Sequence, residues 1–424
     1  MADFSKLITI IIFAFTYFFV IRYYEKKDRV VWLSIFAILL FGIVTPFEAF
    51  KAINWNVLGI YFGMLFISEI FIYSKVPDFL AVLLINRAKY ISTVFILIAV
   101  FAGFLSIFVE NVAVVLIVAP IALAITSKFR VSPVLVLIAI AISSNLQGVA
   151  TLIGDPPSML MAGFAKLNFN DFFFFDSKPS LFFAVQIGAI VSVIVLYFVF
   201  KKFKHKHKTI AYVKPASYFP GILLALLIAA LAMSSFFDPE FKYLAGLLTL
   251  IFGFAALAWY YDVNSKDVKP LLKRVDWETG VFLAGIFILV HSIIVVGFVD
   301  DVANWISGFT GNSVAFTYIT IIIVSLIFSA VVDNVPFIAT MLPVVYKIAE
   351  IMNVNPILFY FGLVIGASVG GNITPVGASA NIVAMGIAEK NGYKTNFWQF
   401  VKVGLPFTLV SVFASTLFVY IIFS

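Results

Sequence analysis

The sequence predicts an all-α, multi-pass membrane protein built from two inverted-topology repeats. Of its 424 residues, 63% are hydrophobic and 12% are charged, and the mean hydropathy is +1.11. Soluble domains contain about 45–50% apolar and about 25% charged residues. Long apolar segments follow one another along the chain, and motifs of the first half return in the second. These observations exclude a water-soluble fold.

The membrane segments follow from apolar length, since a helix that crosses a bilayer needs about 20 mostly apolar residues. The longest hydrophilic stretch, 201–217, is too short to form a soluble domain, so we expect the activity to lie within the membrane. The predicted segments are 5–22, 30–45, 55–73, 91–109, 111–127, 133–165, 179–200, 218–235, 241–261, 277–295, 313–332, 334–350, 356–389 and 400–423.

The basic residues predict the orientation. If the loops alternate between the two sides, 22 of the 28 Lys and Arg residues lie on one side, which the positive-inside rule makes cytoplasmic. Both termini are then outside, in a plasma-membrane protein. The net charge of +7 is thereby explained without a nucleic-acid partner. The basic linker 201–217 contains His205 and His207, which we interpret as part of a solvated loop, with a metal or lipid-headgroup site as the alternative.

An internal repeat divides the chain into a first half, 1–200, and a second half, 218–424, joined by the linker 201–217. At an offset of 223, residues 110–159 align with 333–382 without a gap, and 11 of the 50 pairs are identical, including Pro, Gly, Asn and Thr pairs. At an offset of 222, Trp55 aligns with Trp277.

Each half contains about five crossings and a helical hairpin, predicted at 91–127 and 313–350, which is re-entrant in our interpretation. If the hairpin arms cross fully, the count becomes seven. Because both counts are odd, the two halves must have opposite orientations, as in alternating-access carriers. Each half also contains a segment that we predict to be a broken helix, 133–165 and 356–389, because Gly, Pro, Asn and Thr cluster within an apolar run.

Four acids lie within apolar runs: Glu69, Glu110, Asp155 and Asp333. A charged residue costs roughly 2.5–3.5 kcal/mol at a helix centre on insertion scales, which favours a function for these acids. Glu110 and Asp333 are repeat mates at the hairpin turns, followed by Asn111 and Asn334. They predict ion or proton handling, with capping of the second hairpin arm as the alternative. For proton coupling we favour Asp155 and Asp333, with Glu110 as a further candidate.

The broken helices supply oxygen ligands, which suit a small hard cation such as Na⁺ or hydrogen bonds to an oxyanion or a neutral hydroxide. A kinked span without a ligand is the alternative. We expect no cofactor other than bound Na⁺, for which Asp333, Asn334, Thr374 and Asn381 are the predicted ligands. The candidate side chains in the two breaks are Asn145, Thr151, Asp155, Ser158, Ser368, Asn372, Thr374, Ser379 and Asn381.

Three motifs carry a resemblance to a known family: ATLIGDPPSML, DNVPFIATMLP and GGNITPVGASANIVAMGIAEKNGY. They resemble the ArsB/NhaD group of the ion transporter superfamily, which also includes the P protein and, more distantly, citrate and divalent anion/sodium symporters. The resemblance implies a carrier, a homodimer, and a site at the hairpin tips and helix breaks. In this sequence those positions are 110–111, 145–155, 333–334 and 372–381.

Departures from the family pattern limit what carries over. The anion symporters have Ser-Asn-Thr at the tips, whereas this chain has Glu-Asn-Val and Asp-Asn-Val. A di- or tricarboxylate is disfavoured, because it would meet two acids and we expect no Lys or Arg within the membrane to offset them. The tip of the arsenite pumps, which resembles Asn-Asp-Gly, is not matched either, and the chain has no cysteine for arsenite to bind.

The sequence therefore predicts a secondary carrier that exports a small inorganic ion against protons, either Na⁺ or arsenite. Sodium-coupled uptake of an anion and an ion channel are the alternatives. An enzyme is not expected, because the HExxH zinc motif and the GxxxxGK[ST] phosphate-binding motif do not occur. A separate ATPase subunit is one further partner that the sequence leaves open.

Overall fold

The computed structural model describes residues 2–23, 26–206, 209, 211–264, 266–311 and 313–424. The first half contains α1 (Ala2–Arg22), α2 (Lys27–Leu40), α3 (Pro46–Ala52), α4 (Trp55–Tyr73), α5 (Val76–Ile85), α6 (Ile91–Ser106), α7 (Asn111–Lys128), α8 (Val134–Gly148), α9 (Pro156–Ala165) and α10 (Leu181–Phe200). A small antiparallel hairpin, β1 (Phe174–Phe175) and β2 (Lys178–Pro179), precedes α10.

The second half repeats this order of helices. It contains α11 (Phe219–Phe237), α12 (Leu244–Val263), α13 (Lys269–Leu272), α14 (Trp277–Val295), α15 (Phe298–Phe309), α16 (Val314–Ser329), α17 (Asn334–Met352), α18 (Ile357–Gly370), α19 (Ser379–Lys390) and α20 (Phe397–Phe423). The offset found in the sequence recurs in the helix bounds: α4 and α14 begin 222 residues apart, and α6 and α16 begin 223 apart. The opposite orientation of the halves stays a prediction.

The nearly all-helical, membrane-spanning fold is confirmed. Among the described residues, nine helices are long and apolar enough to cross a membrane, or up to ten if one bent pair forms a single span. The most buried helices are α8 and α18, which are apolar on almost every face and lie at the centre of the molecule. Each of these two helices is followed by a break at the predicted place. In the first half α8 ends at Gly148 and α9 starts at Pro156, and in the second half α18 ends at Gly370 and α19 starts at Ser379.

The two halves are joined at a close crossing of α4 and α12. A Cβ atom on Gly63 would lie 2.4 Å from the backbone of Thr249, so only glycine allows the two helices to approach this closely. Asn56 strengthens the crossing, since its side chain donates to the carbonyl of Phe241 and accepts from the N–H of Gly246. This contact fixes α4, one wall of the cavity described below.

Two helices lie where the sequence predicted loops. Both α5 and α15 follow a residue with positive φ, Lys75 at 61° and Gly297 at 72°, which turns the chain sharply away from the preceding span. Their 10 and 12 residues are too few to cross a bilayer, which is why a search for spans does not detect them.

The start of the linker is fastened to the base of the first hairpin. The N–H groups of Ile91 and Ser92 donate to the carbonyls of His205 and Phe203, and the ring of Phe203 packs on Phe95. The alternative site that we considered at His205 and His207 includes His207, which lies outside the described residues.

Candidate functional site

A cavity of about 530 Å³ lies between the two hairpin tips. Glu110 and Asn111 reach it from the first tip, and Asp333 and Asn334 from the second. The remaining walls come from α2, α4 and α8 and from the first turns of α9, α14 and α19. The structure therefore brings the two repeat-related tips to one site.

The first tip is shaped by helix capping. One carboxylate oxygen of Glu110, Oε2, accepts hydrogen bonds from the backbone N–H groups of Val112 and Ala113 at 2.9 and 3.1 Å. The carboxylate thereby accepts hydrogen bonds from free N–H groups at the start of α7, where the positive end of the helix dipole also stabilises a negative charge. Capping and cavity lining thus coexist in the same residue.

The second tip carries a buried ion pair. Asp333 caps α17 through the N–H of Val335, and its other oxygen, Oδ2, lies 3.0 Å from the ammonium nitrogen of Lys27. The side chains of Asp333 and Lys27 are 5% and 10% exposed, and the ammonium also lies 4.9 Å from the ring centroid of Phe282. Within the described residues, no corresponding ion pair is found for Glu110.

The expectation that no Lys or Arg would offset the two tip acids was wrong, because Lys27 pairs with Asp333. The sequence places Lys27 in a predicted cytoplasmic loop, 22–29, before the span 30–45, but α2 starts at Lys27 and its first turn packs at the cavity. The cavity therefore holds one positive charge that could pair with a carboxylate substrate.

The helix breaks are tied to their hairpins by a repeated contact. The hydroxyl of Thr151 donates to the carbonyl of Ile107, and the hydroxyl of Thr374, its repeat mate, donates to the carbonyl of Ala330. Ile107 and Ala330 directly follow the first hairpin arms. Each threonine therefore positions a hairpin against its own broken helix, and neither lines the cavity.

Asp155 caps α9 in a fully buried position. Its Oδ1 accepts from both the N–H and the hydroxyl of Ser158, at 3.0 and 2.7 Å. Ala378 occupies the equivalent position before α19 and has no side chain that could cap. The two breaks therefore differ chemically, as the sequence comparison of the halves predicted.

Four asparagines connect the halves across the cavity floor. The amide of Asn111 donates to Asn145 at 3.0 Å, and the amide of Asn145 donates to Asn372 and Asn381 at 2.8 and 3.0 Å. The last two amides are anchored on backbone carbonyls, Asn372 on Ile142 and Asn381 on Gly371 and Thr374. This series of amide hydrogen bonds therefore begins at Asn111, which lines the cavity.

Two buried oxygens beside this network accept no hydrogen bond from a described residue: Oδ1 of Asn111 and Oδ2 of Asp155. They lie 2.9 and 3.2 Å from the point that a Cβ atom on Gly148 would occupy, so both oxygens lie beside Gly148. A buried acceptor without a donor is costly. A proton or a bound cation would satisfy this pair.

The cavity mouth holds charges that the sequence analysis did not assign to the site. Asp276 and Glu278 are exposed and line the cavity together with Thr279 and Tyr61. Among the described residues, Glu110 and Asp333 bring the total to four carboxyl groups around one ammonium group, that of Lys27. The balance of charge is negative, which attracts cations and repels polyanions. The 222-residue offset pairs Asp276 with Asn54 as helix caps and could have drawn attention to it.

The predicted site residues fall into two groups. Those that line the cavity are Glu110, Asn111, Asn145, Asp333, Asn334 and Ser379. Those that do not line the cavity are Thr151, Asp155, Ser158, Ser368, Asn372, Thr374 and Asn381. Of the four predicted Na⁺ ligands, Asp333 and Asn334 are therefore at the cavity, whereas the amide of Asn381 is bonded to backbone carbonyls behind it.

Comparison with known proteins agrees with this membrane fold. A family model described as citrate transporter matches residues 17–361 and 296–424. An uncharacterized transporter of Mycobacterium tuberculosis is 29% identical over 393 residues, which cover 90% of each chain. The P protein of Mus musculus is 26% identical over 442 residues, covering 85% of this chain and 53% of the P protein. The broader resemblance is confirmed; membership of the ArsB/NhaD group stays a prediction.

Two solved structures share the fold. The YdaH transporter of Alcanivorax borkumensis superposes with a TM-score of 0.61 at 14% identity, covering 92% of this chain and 88% of its own. MtrF of Neisseria gonorrhoeae, described within a class of antimetabolite efflux pumps, superposes with a TM-score of 0.59 at 14% identity, covering 91% and 84%. At this identity the likeness concerns the fold alone.

Proposed function

Since this chain belongs to the citrate transporter family of membrane transporters, we propose that it is a secondary carrier that exchanges a small inorganic cation for protons. Na⁺ is the favoured substrate. The observation that supports this proposal most is the convergence of two acidic hairpin tips on one cavity whose lining is negative overall.

The ligand chemistry supports a hard cation. The tips offer the carboxylates of Glu110 and Asp333 and the amides of Asn111 and Asn334, and hard cations bind oxygen ligands. The two oxygens without a donor, on Asn111 and Asp155, lie beside the cavity and extend this ligand set. A carboxyl group that takes up a proton when the cation leaves couples the two fluxes.

Alternating access gives the cavity a role in transport. Of its exposed mouth residues, Asp276 ends and Glu278 follows the loop 262–276, which we predict to be cytoplasmic, so we infer that the cavity opens inward. Rocking of the hairpins and broken helices, which Thr151 and Thr374 tie together, would carry the site to the other side.

A carboxylate such as citrate is the second candidate substrate. The family supports it, and so does Lys27, whose ammonium lies at the cavity. The four carboxyl groups around the cavity argue that such an anion would enter together with cations or in protonated form. Arsenite remains a third candidate, recognised by hydrogen bonds to its hydroxyl groups.

The test is transport by purified protein in liposomes with an imposed pH gradient. Our proposal predicts that Na⁺ or Li⁺ dissipates the gradient and saturates, whereas citrate and arsenite have no effect alone. Uptake of labelled citrate or arsenite without any response to Na⁺ or Li⁺ would overturn it. Flux that does not saturate and is not coupled to protons would indicate a channel.

A further inference from the structure

The ion pair of Lys27 and Asp333 is expensive to bury and is not explained by the fold alone. Both side chains are at least nine-tenths buried, and the ammonium nitrogen lies 3.0 Å from the carboxylate oxygen. The desolvation of two charges often exceeds their attraction, so a buried ion pair is weak evidence for a stabilising role. Its position at the tip of the second hairpin, on the cavity wall, suggests a part in ligand binding instead.

The lysine is specific to one half of the molecule. Its repeat mate at the 222-residue offset is Thr249, which lies buried in the crossing of α12 with α4 and donates to the carbonyl of Gly59. The first tip has no corresponding ion pair among the described residues. Lys27 is therefore an addition at the second tip and not a part of the repeated scaffold.

We propose that Lys27 is a built-in competitor of the transported cation, and this inference rests on the proposed function. In the empty carrier its ammonium group neutralises the carboxylate of Asp333. A cation that binds Asp333 competes with this ammonium group, because the carboxylate has a single negative charge to neutralise either of them. The exposed carboxylates Asp276 and Glu278, which line the same cavity, then attract the displaced ammonium.

The ion pair keeps the empty carrier from burying an unpaired charge. Without Lys27, a deprotonated Asp333 would remain as an unpaired buried charge whenever the site is empty, which is strongly unfavourable. With Lys27, the charge of Asp333 at the second hairpin tip is neutralised when the carrier is empty. The same ion pair competes with the bound cation and therefore favours its release. Lys27 is thus a positioning residue that sets affinity.

Equilibrium binding of radioactive Na⁺ to purified protein tests the proposal, with Lys27→Met and Lys27→Arg as a matched pair. Lys27→Met removes the charge and keeps the length of the side chain, and we expect it to bind Na⁺ about tenfold more tightly, or about 1.4 kcal/mol. Lys27→Arg keeps the charge and should bind like the wild type. In an Asp333→Asn background, Lys27→Met should give no gain in affinity.

Equal or weaker Na⁺ binding by folded Lys27→Met would overturn the inference and leave the proposed function intact. If the wild type binds neither Na⁺ nor Li⁺, the proposed function fails and the inference fails with it. Should Lys27→Met not fold, a structure of the wild type in saturating Na⁺ decides: we expect Lys27 to have left Asp333. An intact ion pair beside a bound Na⁺ would contradict the proposal.

Discussion

Replacing Gly148 with alanine should impair cation binding, whereas a similarly overpacked control should not. The new methyl group would lie 2.9 Å from Oδ1 of Asn111 and 3.2 Å from Oδ2 of Asp155, the two buried oxygens that accept no hydrogen bond from a described residue. Both contacts are closer than a carbon and an oxygen normally approach. The methyl group therefore covers the oxygens and pushes apart the first hairpin tip and the helix break.

The expected magnitudes follow from these contacts. Overpacking of this kind costs about 1–3 kcal/mol, whereas alanine in place of glycine recovers roughly 0.5–1 kcal/mol at a helical position. Because Gly148 is the last residue of α8, this gain is at the lower end of its range, and the net loss of stability should be about 0–2.5 kcal/mol. If the two oxygens hold the cation, its affinity should fall by one to two orders of magnitude, equivalent to about 1.4–2.8 kcal/mol.

The assay is Na⁺ binding together with thermal unfolding of the purified variant. Gly103→Ala is the matched control. Gly103 lies in α6, and its new methyl group would lie 3.1 Å from Gln147 and 3.2 Å from Ser143, both in α8, without contacting the hairpin tip. Both variants should unfold at similar temperatures, and only Gly148→Ala should lose Na⁺ affinity. Unchanged affinity in Gly148→Ala would refute the assignment of these oxygens to the ion.

Three further predictions concern the scaffold. Asn145→Ala removes three amide hydrogen bonds, and at about 0.6 kcal/mol each in a membrane protein the loss is about 2 kcal/mol in denaturant unfolding; Ser368→Ala, at its repeat mate, should be nearly neutral, and equal losses would contradict the network. Burial raises the pKa of Asp238, but three backbone N–H donors at the start of α12 and Lys242 outweigh it and hold the pKa below its ordinary value. The stability that the ionised Asp238 gives is present above about pH 4 and is lost as the pH falls through its lowered pKa. Asp238→Asn should therefore lower the melting temperature at neutral pH and reduce its fall at acid pH. A dependence of melting temperature on pH that matches the wild type would contradict this. The chain has no cysteine, so in intact cells a membrane-impermeant maleimide should label Lys242→Cys and spare Lys206→Cys, and the reverse pattern would invert the predicted topology.

The sequence predicts the hairpins and helix breaks well because their signals are local. An acid followed by asparagine interrupts an apolar run at Glu110 and Asp333, and the arms end within a few residues of the predicted bounds. Gly148 and Pro156 bound the first break as clearly. The repeat adds a second copy of each signal, which makes chance agreement improbable.

What the sequence could not reveal depends on tertiary contacts. Lys27 lies 306 residues from Asp333 and stands among other basic residues, so nothing local distinguishes it from a solvated lysine. The sequence favours Thr151 and Thr374 as ligands because they lie in the breaks, but their hydroxyl groups donate to hairpin carbonyls that only the folded chain brings near. Asp276 gives no local sequence signal for a site because it lies at the end of the predicted loop 262–276.

Na⁺ binding to a double-mutant cycle of Glu110→Gln and Asp333→Asn tests most directly whether the two hairpin tips form one cation site. Each substitution removes one carboxylate from the cavity, and each should weaken Na⁺ binding about tenfold or more, or about 1.4 kcal/mol. Because residues of one site are coupled, the double variant should bind little worse than the weaker single variant. Wild-type affinity in both single variants, with folding verified by melting temperature, would contradict the account.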